Sequence, residues 1–370
     1  MSARRWSLDA HGTVFDGSGS RQAITRLLDR SSARRTMLVS NRSLRGTIVF
    51  DDIAARIQGG PVAMFAAIGA NAPAADVEAA TTLGRDAGVD SIVAVGGSSV
   101  TDAAKIVRLR LLGDEVERER IPLLLVPTTL SSGELTAAAG MTGEVPGEKT
   151  YVIDTRMAPT AVILDPEVTV GTPRELWLST GVKAIDHAAE ALWTERPHPY
   201  SDALAADALR RLLRALPACA ADPADLDARL DAQLGGWFSM AGMTRHGPGP
   251  SHLLGHQLAA RWRIAHGVTS CITLAPVLRW AANRGRPGAH RVAELLSADS
   301  IDAADAALTT FIVDLGLPTR LRDVGADRSE IGAIAAAAAR HGRTVGFEFE
   351  GGEEPEADVE MFRRLLESCW

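Results

Sequence analysis

Short apolar runs punctuate the first half of the chain: TMLVS at 36–40, AMFAAIG at 63–69, SIVAV at 91–95 and PLLLVP at 122–127. They are brief and do not alternate with polar residues, which suits strands buried on both faces. Between them apolar positions recur at helical spacing over 20–29, 73–87 and 99–112. Strands alternating with helices imply parallel strands and crossover helices, hence an α/β sheet with its ligand site at the carboxyl ends of the strands. From about residue 170 the pattern changes. Helical spacing runs through 173–194, 201–216, 224–243, 249–262, 267–283, 288–298, 302–315, 328–341 and 357–368, without a strand run. The expected architecture is an α/β domain, 1–165, followed by an all-helical domain, 166–370, joined at DPEVTVGTP.

A chain of 370 residues with 46% hydrophobic content can bury two cores of ordinary size. The net charge of -7 and the lack of a basic tract argue against a nucleic-acid partner. No segment has the length and apolarity of a signal peptide or a bilayer span, so the expectation is a soluble, cytoplasmic protein without a membrane partner. Cys219, Cys271 and Cys369 are scattered and odd in number, which speaks against a disulfide framework or a zinc knuckle. Arginine supplies nearly all of the 39 basic residues, and lysine remains only at 105, 149 and 183. A compact ammonium on a slim stem has uses that a guanidinium cannot fill.

Two strand ends carry chemistry. After SIVAV, the residues Gly96, Gly97, Ser98 and Ser99 lead directly into a helix whose free N–H groups and dipole would face a pyrophosphate. After PLLLVP comes a small hydroxyl-rich loop, Thr128, Thr129, Leu130, Ser131, Ser132, able to bond phosphate or ribose. Together they point to a dinucleotide held without the usual GxGxxG turn. The first strand ends in Asn41, Arg42 and Arg45 rather than in a carboxylate for the ribose 2′-hydroxyl, which favours NADPH, or dual use of NADPH and NADH.

The second half is organised around HGPGPSHLLGHQLAARWRIAHG at 246–267. His252 and His256, four apart, share one helix face, His266 follows at an Ala-His-Gly break, and His187 sits on another apolar helix. Four of the nine histidines at such spacing point to a shared site. Arg261 and Arg263 flank this helix and could hold a substrate carboxylate. The tryptophans at 177, 193, 237, 262 and 280 read as core or wall, since basic residues do not interleave with them.

These pieces resemble the iron-containing alcohol dehydrogenase family, whose architecture is shared by glycerol dehydrogenase and dehydroquinate synthase. VGGSSVTDAAK at 95–105, which includes Asp102, is similar to the family's VGGGSxxDxAK. PTTLSSGELT at 127–136 is similar to its PTT loop, LDPEVTVGTPRELWLSTGVKAIDHAAEA at 164–191 to its DP…GxDAxxHAxEA segment, and the His252, His256, His266 spacing to its HxxxHx9HG. The resemblance implies a nucleotide domain and a helical domain with a cleft where hydride passes to or from a carbonyl or alcohol carbon, and a homodimer or larger assembly. It implies further that Gly96, Gly97, Ser98, Thr128 and Thr129 hold cofactor phosphates and ribose, and that Lys149 lies near the nicotinamide ribose. His187, His252 and His266 match metal ligands, and His256 matches the histidine assigned to proton transfer.

Two departures narrow the reading. The family's first metal ligand, an aspartate four residues before His187, is here Lys183, and the PTT loop has the length of PTTYAGSEMT in maleylacetate reductases. That branch also lacks the aspartate and reduces an enone dicarboxylate without needing a metal. Ala-His-Gly at 265–267 is more like the alcohol dehydrogenases. The expectation is an NAD(P)H-dependent reductase of maleylacetate-reductase type acting on a polar, anionic small molecule. The catalytic set would be Lys183, His187, His252, His256 and His266, with no metal, or with one on His187, His252 and His266 if any binds. A metal-dependent alcohol dehydrogenase, a sugar-phosphate cyclase of the dehydroquinate synthase class and a non-catalytic binding module are the alternatives. In the metal-free reading Lys183 fills the ion's place and leaves a charge of about +1, because Asp186 lies about 100° around the helix from His187.

Overall fold

A computed structural model describes residues 12–117, 120–143, 149–194, 197–262, 264–347 and 355–370. The chain divides into two compact units: one takes in residues up to Thr128 together with Ser132–Thr169, the other Thr129–Ser131 together with Val170–Trp370.

The first unit is built on a parallel sheet of β1 (Thr13–Asp16), β2 (Thr36–Ser40), β3 (Ala63–Ala66), β4 (Ser91–Gly96), β5 (Leu123–Pro127) and β8 (Ala161–Leu164), in the order β1-β8-β5-β4-β2-β3. β2, β4, β5 and β8 are buried along their whole length, which is why they read as unbroken apolar runs. Crossovers run through α1 (Ala23–Arg30), α2 (Ile48–Ala55), α3 (Ala74–Asp86) and α4 (Ser98–Leu112). From β2 the chain moves outward to β3, and from β4 it moves the other way to β5, so the strand order reverses between β2 and β4. Such a reversal opens a crevice at the carboxyl ends of the two strands. A two-stranded antiparallel hairpin, β6 (Ala138–Thr142) with β7 (Lys149–Ile153), lies outside the sheet.

α4 is unusual in burying two cations. The Lys105 ammonium bonds Thr136 Oγ1 at 3.1 Å and the Ala138 carbonyl at 2.9 Å, with the Gly133 carbonyl as a third acceptor. The Arg108 guanidinium bonds the carbonyls of Ala158, at 2.7 Å, and Arg156. Both therefore pin the backbone around Gly133–Ala138 and Arg156–Ala158 to α4.

The second unit contains, among the described residues, nine α-helices: α5 (Arg174–Leu192), α6 (Pro199–Ala221), α7 (Leu226–His246), α8 (Pro250–Trp262), α9 (His266–Asn283), α10 (Pro287–Leu295), α11 (Ile301–Asp314), α12 (Ile331–Thr344) and α13 (Pro355–Ser368). α5 is the axis of this unit, and every residue from Trp177 to Leu192 is buried. Leu178, Val182 and Ile185 each gain on the order of 2 kcal/mol from leaving water. Close approach to α5 is secured by glycine: a Cβ on Gly242 of α7 would sit 2.0 Å from that of Ala191. No helix among the described residues is long and apolar enough to cross a membrane.

Candidate functional site

In the first unit the functional residues gather at the strand reversal. Gly96 ends β4 at φ +155°, where a Cβ would lie 2.6 Å from Val100 Cγ2, so this turn admits only glycine. Gly97 caps α4, and Ser98 and Ser99 form its first turn, a position where backbone N–H groups have no partner within the helix and attract an anion. Around them the turn is braced. Ser99 Oγ accepts the Asn71 N–H at 2.9 Å, Asp102 Oδ2 accepts the Gly140 N–H at 3.1 Å, and Ser40 Oγ donates to the Val95 carbonyl at 2.8 Å. Asp102 thus ties the β6 hairpin to α4.

Beside this turn a cavity of about 280 Å³ is lined by Asn41, Arg42 and Ser43 after β2 and by Ile68, Gly69 and Asp76. Asn41 Oδ1 accepts from Leu44 N–H at 3.2 Å, and Asp76 Oδ2 accepts from Gly69 N–H at 2.8 Å. The cavity therefore does contain a carboxylate, supplied by α3 and not by β2. Lys149 opens β7, but its side chain lies outside the described part of the molecule. Thr128 and Thr129 are buried at the end of β5, with Thr129 Oγ1 3.1 Å from Ser131 Oγ. Ser132 holds a left-handed backbone, φ 58°, and Glu134 after it is buried, which pushes its carboxyl up to about 7.

In the helical unit the site is buried and polar. One turn apart on α5, Lys183, Asp186, His187 and Glu190 face α8 and α9. The Lys183 ammonium stands 3.5 Å from Asp186 Oδ2, which also accepts hydroxyl hydrogen bonds from Ser251 at 2.8 Å and Ser270 at 2.6 Å. Glu190 accepts the N–H groups of Gly249 at 2.9 Å and Ser251 at 2.7 Å, and its Oε2 lies 2.6 Å from His252 Nδ1. His252 stacks on His187, with ring centroids 4.7 Å apart. Burial governs the protonation of all four groups. It pushes the Glu190 carboxyl up to about 7 and the Asp186 carboxyl upward, and drives His187 well below its usual range. Burial, then the charge of Lys183, takes His252 down to about 3. Both imidazoles are held toward the neutral form, and His252 Nδ1 and Glu190 Oε2 share one proton between them.

The expected histidine set separates into two pairs. His187 and His252 form one; His256 stacks on His266 at 5.1 Å and forms the other, joined by His341 from α12, whose Nε2 lies 3.4 Å from His256 Nδ1. Among the described residues, the donors that converge within 4.8 Å are those of Asp186, Glu190 and His252, not those of His187, His252 and His266. The converging set stands beside a competing cation. Asp186 Oδ2 is shared by Lys183 and two hydroxyls, both Glu190 oxygens are bonded, and a cation would enter beside an ammonium. Asp186 pairs with Lys183. The cluster accordingly holds two carboxyl groups beside one ammonium instead of a bare charge of +1. Arg261 is held by Glu330, with Nε 3.1 Å from Oε2, which removes it as a carboxylate anchor, and Arg263 lies outside the described residues.

Asp186, Glu190, Ser251, Ser270 and His341 were not in the expected set. Glu190 was within reach of sequence reasoning, because 183, 186, 187 and 190 fall on one helical face.

The anion-binding turn at a strand reversal and a buried proton-handling cluster on helices define a nucleotide-dependent oxidoreductase. The comparisons narrow this further. Residues 12–166 match the iron-containing alcohol dehydrogenase model, and residues 177–350 match the model of that family's C-terminal part. A dehydrogenase of Alternaria alternata is 31% identical over 356 residues, 82% of this chain and 92% of the relative. The maleylacetate reductase of Sphingobium indicum is 30% identical, with 88% of each chain covered. The crystal structure of maleylacetate reductase from Agrobacterium tumefaciens superposes with a TM-score of 0.84 at 25% identity, covering 100% of this chain and 99% of that one. The chain belongs to the iron-containing alcohol dehydrogenase family, on its maleylacetate reductase branch, and is an NAD(P)-dependent oxidoreductase.

Proposed function

We propose that the protein is a metal-independent NAD(P)H-dependent reductase of maleylacetate-reductase type, acting on an activated C=C or C=O of a polar, anionic small molecule. The observation that carries this reading is Lys183: a buried ammonium stands at the centre of the polar cluster, 3.5 Å from Asp186, where the family pattern has a metal-ligating aspartate. The maleylacetate reductases among the relatives support the substrate class.

In this reading the pyrophosphate rests on the first turn of α4. Hydride arriving at the substrate raises negative charge on an oxygen, and the Lys183 ammonium stabilises it by a hydrogen bond in a site from which burial excludes water. Asp186 holds Lys183 in place. His256 delivers the proton that completes the reduction. Asn41 and Arg42 after β2 support NADPH while Asp76 in the same cavity supports NADH, so use of both nucleotides is expected. The test is oxidation of NADPH and NADH by maleylacetate and related oxo-acids. Turnover with an anionic enone or oxo-acid is expected, and a panel that yields turnover only with neutral aldehydes would overturn the substrate class.

A further inference from the structure

The loop that leads from β3 into the first turn of α3 makes two connections. At its start the Gly69 N–H donates to Asp76 Oδ2 at 2.8 Å, and both residues line the cavity that Asn41, Arg42 and Ser43 also line. Gly69 leaves room for this approach, since a Cβ there would stand 3.1 Å from Asp76 Oδ2 and 3.2 Å from Pro73 Cγ. Two residues on, the Asn71 N–H donates to Ser99 Oγ at 2.9 Å, in the first turn of α4. One short loop therefore links the cavity to the anion-binding turn. At about 280 Å³ the cavity is smaller than the site of a drug-sized ligand, so it suits one fragment of a dinucleotide. Arg42 on its wall is exposed and Asp76 is half-buried.

We propose that Asp76 is the specificity-determining residue for the nucleotide: its carboxylate accepts the adenosine ribose hydroxyls of NADH and repels the 2′-phosphate of NADPH, against the attraction of Arg42. This rests on the reading that seats the pyrophosphate on the first turn of α4. A ribose hydroxyl donates a hydrogen bond, and a carboxylate only accepts, whereas a 2′-phosphate is an anion that needs donors or cations. β2 ends in Asn41 where dinucleotide-binding sheets ordinarily carry this carboxylate, and α3 supplies it to the same cavity instead. Salt screens the exposed Arg42 more than the half-buried Asp76, so the carboxylate offsets the guanidinium at ordinary ionic strength.

The test is equilibrium binding of NADH and NADPH to the intact protein without substrate, read by quenching of protein fluorescence. Asp76→Asn keeps an oxygen for the Gly69 N–H and removes the charge, so it should bind NADPH about tenfold more tightly and NADH about threefold more weakly than wild type. Arg42→Ala, an exposed change that leaves the carboxylate in place, should move the ratio the other way by weakening NADPH about tenfold with NADH little altered. A ratio of the two dissociation constants that stays within about twofold of wild type in either variant would overturn the assignment, as would a shift of Asp76→Asn toward NADH. Wild-type protein that binds neither nucleotide would overturn the pyrophosphate seat and this assignment with it. Failure to turn over maleylacetate would count against the proposed substrate alone, because the binding readout needs none.

Discussion

Replacing Lys183 by methionine removes the ammonium while keeping the stem, and leaves Asp186 buried beside Glu190 with two serine hydroxyls and His252 Nδ1 at 3.6 Å. At 3.5 Å and an effective dielectric of about 20, the lost attraction is about 5 kcal/mol before relaxation. Breaking a buried pair from one side costs about 3–5 kcal/mol. Asp186 has an escape, because burial already pushes its carboxyl upward and without Lys183 it rises further. The folded variant then binds a proton that the unfolded chain, at the ordinary aspartate value, has released. Its stability must therefore fall as pH rises. Urea unfolding of both proteins at pH 6 and pH 8 should show a deficit of about 3 kcal/mol at pH 8 that shrinks at pH 6, with the slope against urea unchanged. Asp186→Asn in the same background should recover part of the loss. A Lys183→Met variant within about 0.5 kcal/mol of wild type at both pH values would refute the claim that the ammonium is a buried, charged partner of Asp186.

Gly96→Ala places a Cβ 2.6 Å from the wholly buried Val100, so it should cost about 2 kcal/mol and weaken NADPH binding about tenfold or more, read by quenching of protein fluorescence. Glu134 is raised from 4.5 to about 7, so the folded state holds the extra proton between those values and loses stability as pH rises through that window. Glu134→Gln, compared with wild type by thermal unfolding, should accordingly gain in relative stability from pH 5 to pH 8, by at most about 3 kcal/mol. A flat difference would mean that the carboxyl is not raised. Asn41→Asp should shift cofactor preference toward NADH, measured as the ratio of kcat/KM for the two nucleotides, and an unchanged ratio would detach Asn41 from the ribose.

The buried strands were legible because strands covered on both faces leave unbroken apolar runs, as in β2, β4 and β5. β1 escaped: it is a four-residue edge strand, exposed at both ends, and TVFD has no such run. β8 is equally short, and α2, which Thr47 caps by accepting the Phe50 N–H, is too brief to show a helical period. Helices α5–α13 were readable from period alone. At the site, spacing found the histidines but not their grouping, since which rings meet depends on how α8, α9 and α12 pack. Asp186 was dismissed by its angle from His187, an argument silent about Lys183 three residues earlier. His341 had no local signal at all.

The central claim is that Lys183 does the work assigned to a metal elsewhere in the family, and metal analysis of the purified protein joined to activity after chelation tests it most directly. The account predicts substoichiometric iron and zinc, turnover indifferent to chelator, and a Lys183→Asp variant whose remaining activity depends on added iron or zinc. Stoichiometric metal whose removal abolishes turnover of the wild-type protein would contradict it.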